Sequence, residues 1–300
     1  MSRRLALVNR GLKLLVKPRL RRATDVAAAR QSFERAAKVF LRGPSHMMSR
    51  DPENPQLTWI RTGPVAPRRL VFYVHGGAYV FGSPCTHRGL LAQLSRCSGI
   101  EVCTPAYRLA PEHPAPAAFE DVLAAFHSVL NRGYRPEHII LAGDSAGAGA
   151  ALAVLARLCD EGLRPRGLVA FSPWTDLDMT GVSLRTNALV DPVLPSDRMD
   201  EIVGMILQGV SPRDPRVSPL YARFDAPPPV LLQYSQTEIL RDDSVRIGAR
   251  LQEQGGRVIL QQHERAPHAW PLFDGWFPEA RASIRAAAEF IQDCFDDTKR

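Results

Sequence analysis

The hydrophobic pattern changes character near residue 57. Before that point apolar residues recur at helical spacing. Leu5, Val8, Leu12, Leu15 and Val16 share one face of a helix, with Arg10, Lys13 and Lys17 opposite. Pro18 is expected to end or bend this helix. Residues 24–41 form a second helical stretch, with Thr24 a possible N-cap. After residue 57 short apolar runs alternate with helical segments. Runs at 70–74, 139–142, 168–171, 230–234 and 257–261 read as strands, with 101–107 a weaker candidate. Residues 115–130, the stretch from about 145 to 159, 242–254 and 279–295 read as helices. Strand and helix in alternation predict an α/β fold: a mostly parallel central sheet with helices on both faces. Residues 181–215 break the rhythm. They read as an insert over the edge of the sheet where the strands' C-terminal ends lie, the edge at which open α/β sheets carry their sites.

Composition narrows the class. With 45% hydrophobic and 23% charged residues, the 300-residue chain reads as a soluble globular protein, not a disordered or fibrous one. That length suits a single α/β domain, 1–300, with an insert. The net charge of +7 first suggests a nucleic-acid partner, but its location argues otherwise. Residues 1–22 hold eight basic residues and no acidic one, whereas residues 23–300 carry 30 basic against 31 acidic. There is no P-loop, zinc pattern or RNA-binding aromatic motif. The five cysteines are widely spaced and form no C-x-x-C pair, which argues against a disulfide framework or metal site and for a cytoplasmic location. No apolar run reaches the ~18 residues of a spanning helix. Arg10, Lys13 and Lys17 interrupt the one N-terminal run that resembles a leader.

The chemistry is carried by Gly143-Asp144-Ser145-Ala146-Gly147, a G-x-S-x-G placed between a buried strand and an Ala/Gly-rich helix. Such a turn projects the serine hydroxyl off the sheet, and small flanking residues avoid clashes. The helix N-terminus adds positive potential where an oxyanion would form. Backbone donors for that oxyanion are expected from Ala146 and from the glycine loop at His75-Gly76-Gly77-Ala78. Serine needs a histidine to take its proton and a carboxylate to orient the histidine. In this fold the order is serine, acid, histidine. His263 and His268 follow a late strand. His268, in the loop beyond it, is favoured, and His263 is the fallback. For the acid, the loop after 230–234 offers Glu238, then Asp242 and Asp243.

These motifs together resemble the hormone-sensitive-lipase-like family of α/β-hydrolases, also called bacterial family IV esterases. The resemblance runs from about residue 57 to the C-terminus. It includes His75 to Ser83, Tyr107-Arg108-Leu109-Ala110-Pro111-Glu112-His113-Pro114, Gly143 to Gly147, Ser172-Pro173-Trp174, and Asp214 to Leu220. The late pattern, an acid followed by x-L-x-D, reads Glu238-Ile239-Leu240-Arg241-Asp242, with His268 thirty residues after Glu238.

The resemblance implies Ser145 as nucleophile, His268 as base and Glu238 as acid. It implies Gly76, Gly77 and Ala146 as oxyanion donors, and a cap formed by about 1–50 and 181–215. It makes 107–116 a scaffold loop whose Arg108 and Glu112 form an ion-pair network with Asp121. Tyr79, Phe81 and Trp174 become candidate pocket walls. The implied activity is hydrolysis of short- to medium-chain esters, without cofactor or metal, by a monomer or homodimer. A lactone hydrolase, an amidase or a non-catalytic ligand-binding relative are the alternatives. Residues 1–22 are expected to pack on the cap, the rival being peripheral contact with an anionic membrane. Three positions depart from the family pattern: Ala78 for a third glycine, Glu238 where Asp is frequent, and His268-Ala269-Trp270 in place of H-G-F.

Overall fold

A computed structural model describes residues 1–296. The helices are α1 (Arg3–Gly11), α2 (Lys17–Arg22), α3 (Val26–Phe40), α4 (Pro84–Ser98), α5 (Ala117–Asn131), α6 (Ser145–Asp160), α7 (Ser183–Thr186), α8 (Met199–Leu207), α9 (Arg241–Glu253) and α10 (Pro278–Phe295). The strands are β1 (Met47–Arg50), β2 (Leu57–Arg61), β3 (Leu70–Val74), β4 (Glu101–Pro105), β5 (Ile139–Asp144), β6 (Gly167–Phe171), β7 (Val230–Ser235) and β8 (Val258–His263).

They form one sheet in the order β1-β2-β4-β3-β5-β6-β7-β8. From β4 to β8 every pairing is parallel, and β1 and β2 add two antiparallel pairings at one edge. The chain leaves β3 toward β4 and then returns to the opposite side of β3 to form β5. The strand order therefore reverses there, opening a crevice at the C-terminal ends of β3 and β5.

Side-chain alternation along β3 divides the core. Leu70, Phe72 and Val74 pack with Phe126 of α5, Leu152 of α6 and Ile247 of α9. Val71 and Tyr73 face the other way, toward Leu91 and Leu94 of α4 and Ile284 and Ile291 of α10. Both faces of the central strands are therefore apolar, which explains why they read as continuous hydrophobic runs. The sequence pattern missed three elements. In α4, the capping box between Ser83 and Thr86, Pro84 in the first turn and left-handed Gly99 at the C-cap are legible signals. β2 is short, and β1 is exposed throughout, so β1 has no hydrophobic period to detect.

The N-terminal segment departs from the expected pattern. Pro18 does not end the helix. The hydrogen-bond ladder widens into a π turn over Leu12–Val16, and helix resumes through Arg22. The wider turn rotates the later positions. Leu15, expected inside, is exposed, whereas Lys17, expected outside, is buried. Lys17 Nζ donates to the carbonyls of Ala188 (2.8 Å) and Asp191 (2.7 Å). Asp25, not Thr24, caps α3 by accepting the Ala28 N–H. Leu5 is fully buried against Trp270, Phe277 and Ala280. No helix among the described residues is long and apolar enough to cross a membrane.

Candidate active site

Ser145 begins α6 directly after β5 with φ +53°, a left-handed conformation that costs a non-glycine residue about 1–2 kcal/mol. The neighbouring glycines explain how the turn fits. A Cβ on Gly147 would lie 2.3 Å from the carbonyl oxygens of Val74 and His75. A Cβ on Gly143 would lie 2.8 Å from the backbone of Gly147 and Ala148. Helix α6 therefore starts hard against the end of β3. The Trp174 N–H donates to the Ser145 carbonyl at 3.0 Å and fixes the turn from the β6 side. The Ala146 N–H, in the first turn of α6, has no intrahelical acceptor.

The glycine loop after β3 is held by a buried carboxylate. Asp144 Oδ1 accepts the Gly76 N–H and the Tyr73 hydroxyl, each at 2.9 Å, and His87 Nε2 lies 3.2 Å away. Thr86 Oγ1 holds the other nitrogen of His87 at 2.8 Å. Burial alone would raise the Asp144 carboxyl, but His87, Tyr73 and the Gly76 N–H hold it below the ordinary value. This corrects one expectation. The Gly76 N–H is committed to Asp144 and is not free to meet an oxyanion. Gly77 (φ +123°) and Ala78 (φ +54°) follow in left-handed backbone, and their N–H groups have no acceptor among the described residues. His75 stacks on Tyr107 with ring centroids 4.3 Å apart, and burial, then His87, pushes its imidazole down to about 3. It is therefore a neutral packing group.

His268 and Glu238 meet directly. His268 Nδ1 lies 2.8 Å from Glu238 Oε2, and both side chains are buried. Glu238 Oε1 accepts the Ser235 N–H at 2.8 Å. Burial would lower the imidazole, but its hydrogen bond to Glu238 and the charges of Glu238, Asp191 and Asp144 lift it above its ordinary 6.5. His268 Nε2 is buried and has no partner among the described residues. The histidine loop is tied toward the serine turn, since the Ala269 N–H donates to Ser172 Oγ at 3.1 Å, and Ser172 lies two residues before Trp174.

The rival residues lie elsewhere. Asp242 accepts the Ser183 N–H and pairs with Arg241, and Asp243 accepts the N–H groups of Thr175 and Asp176. His263 ends β8, where its Nδ1 accepts the Arg265 N–H.

Other positioning groups were not read from the sequence. Asn187 donates from its amide to the carbonyls of Gln236 and Glu238, both at 2.8 Å. Asp191 accepts the Ile239 N–H at 2.9 Å. Residues of the 181–215 insert thus hold the Glu238 loop. No short motif encodes contacts across 48 to 51 residues.

Two further expectations change. Trp174 and Tyr79 are packed in the core with rings 6.4 Å apart, which leaves half-buried Phe81 as the one of the three aromatics with surface to offer a substrate. Arg108 pairs with Asp121 as expected, but Glu112 pairs with Arg30 of α3 instead. Arg30 also donates to the Val80 carbonyl at 2.7 Å, and Glu34 accepts from Ser83. Helix α3 is thereby fastened to the glycine loop.

Comparison with known proteins identifies the family. Residues 71–272 match the family model for the alpha/beta hydrolase fold. An esterase from Acinetobacter venetianus is 38% identical over 224 residues, covering 74% of each chain. An acetyl-hydrolase from Streptomyces hygroscopicus is 36% identical over 235 residues, covering 78% of each. The crystal structure of an esterase from the bacterial hormone-sensitive lipase family superposes with a TM-score of 0.91 at 33% identity, covering 99% of both chains. The chain belongs to the α/β-hydrolase fold family and is an ester hydrolase. Within that family it is a carboxylesterase of the bacterial hormone-sensitive-lipase type.

Proposed function

We propose that Ser145, His268 and Glu238 form the catalytic triad of this esterase and that its substrates are short- to medium-chain acyl esters. The observation that carries the reading is the buried His268–Glu238 pair at 2.8 Å, whose imidazole keeps Nε2 unpartnered on a loop tied through Ser172 toward the strained Ser145 turn. Ser145 Oγ attacks the ester carbonyl as His268 Nε2 accepts its proton. The N–H groups of Ala146, Gly77 and Ala78 receive the oxyanion, with Gly76 acting through Asp144 to aim the loop. His268 then protonates the departing alcohol, and a water, deprotonated by the same imidazole, releases the acid from Ser145. Glu238 keeps the Nδ1 proton in place and stabilises the imidazolium that forms in both halves.

Residues 1–50 and 181–215 act as the cap over this site. The contacts of Lys17 with Ala188 and Asp191, and of Asn187 with the Glu238 loop, support that role. The similarity to an acetyl-hydrolase supports the short-chain preference. Ser145→Ala is expected to lower kcat on p-nitrophenyl acetate by roughly 10⁴–10⁶ and to abolish fluorophosphonate labelling. Near-wild-type turnover by that variant would remove the assignment. Fastest turnover of the C12 member in a C2-to-C12 ester series would remove the chain-length reading.

A further inference from the structure

The packing of residues 1–22 uses only one side of the segment. Leu5 and Leu12 face inward, as does the displaced Lys17. On the outer side Leu7, Leu14 and Leu15 are 72%, 62% and 61% exposed. Arg3 and Arg4 precede Leu7 by four and three residues within α1, so basic and apolar side chains share this face. Arg3, Arg4, Arg10, Lys13, Arg19 and Arg22 are exposed and make no ion pair among the described residues, whereas Arg21 pairs with Asp197. Two nearby carboxylates are already engaged. Glu279 accepts from the Ser2 backbone and hydroxyl, and Asp274 pairs with Arg281. Arg3, Arg4 and Arg281 line an open cleft of about 520 Å³ beside Phe277 and Pro278. Next to Ala188, whose carbonyl holds Lys17, Leu189 and Val190 add exposed apolar surface.

We infer that the outer face of the helical segment 3–22 is a docking surface for an anionic phospholipid bilayer. Leu7, Leu14 and Leu15 enter the boundary between headgroups and acyl chains, and Arg3, Arg4, Arg10 and Lys13 meet the lipid phosphates. The charge carries the choice of occupant. An interfacial helix gains from apolar area and from each basic residue near a negative surface, and this face has both with no acidic residue in residues 1–22. A second copy of the chain would bring the same positive face against itself. The inner face still packs on the protein body, so docking requires no unfolding of the segment.

Vesicle co-sedimentation tests this without reference to catalysis. The full chain is expected to sediment with phosphatidylcholine vesicles containing phosphatidylglycerol, but not with phosphatidylcholine alone, and to be released by high salt. The variant L7Q/L14Q/L15Q should bind at least about tenfold more weakly, as should R3Q/R4Q/R10Q, both with unchanged melting temperature because every altered side chain is exposed. Equal binding to neutral vesicles, absence of binding to either, or wild-type binding by both variants would overturn the inference. So would a wild-type dimer that L7Q/L14Q/L15Q dissolves, since the face would then belong to a second copy.

Discussion

Replacing Glu238 by Gln tests the proposed base, His268, and its proposed orienter together. The carboxylate is fully buried, with one oxygen 2.8 Å from His268 Nδ1 and the other accepting the Ser235 N–H. Gln fills the same space and can keep the Ser235 contact, so the change removes the charge rather than the loop. A hydrogen bond to a buried charge contributes about 1.5–3 kcal/mol. That loss falls on the transition state, where His268 carries a proton, and corresponds to roughly 10- to 150-fold in rate. If the Gln amide donates to Nδ1 the imidazole takes the wrong tautomer, and the loss extends toward ~10⁴. The assay is kcat/KM for p-nitrophenyl acetate against pH. In the native enzyme Glu238, Asp191 and Asp144 raise the imidazole above 6.5, so activity falls on its acid side beginning above pH 6.5. Without the charge, that limb moves to lower pH while the plateau drops. Stability follows the same linkage. Because the folded histidine is raised, its contribution is fully present below the unfolded value of 6.5 and fades as pH rises through the folded one. The stability gap between native and variant should therefore narrow as pH rises above 6.5. An unmoved acid limb with less than a tenfold rate loss would refute the pairing.

Three other substitutions probe the scaffold. Asp144→Asn weakens the contacts to Tyr73, Gly76 and His87, and is expected to cost about 1.5–3 kcal/mol in urea unfolding at pH 7 and to lower kcat more than it alters KM. The depressed Asp144 carboxyl gives its stability above the unfolded value of 3.8 and loses it as pH falls through the folded value, so the deficit should persist at pH 5. Gly147→Ala places a Cβ 2.3 Å from two carbonyl oxygens and must push α6 from β3, at a cost of about 1–3 kcal/mol or more read from the denaturation midpoint. Lys17→Met leaves the Ala188 and Asp191 carbonyls without their donor, costing about 1–3 kcal/mol and speeding amide exchange across residues 181–215.

Local order was legible wherever a short stretch of chain carries its own physical signal. The apolar run of β3 reads as a strand because both its faces are covered, and the Gly143–Gly147 turn announces itself because no larger residue fits there. The order of serine, acid and histidine limited the candidates, and the family resemblance narrowed them to one set. Contacts across long separations were not legible. The choice of Glu238 over Asp242 came from the sequence and its resemblance, but the contacts by which Asn187 and Asp191 hold the Glu238 loop did not. The Gly76 N–H looked like an oxyanion donor until folding brought Asp144 within 2.9 Å of it. Helical periodicity assigned Leu15 to the inside and Lys17 to the outside, and the π turn before Pro18 exchanged them. Side-chain type and spacing thus determined the central parallel strands, the elbow and the candidate chemistry, because these arise within a few residues. The partner of each donor and the covered side of each helix were decided by the tertiary structure, because both depend on which distant segment arrives opposite.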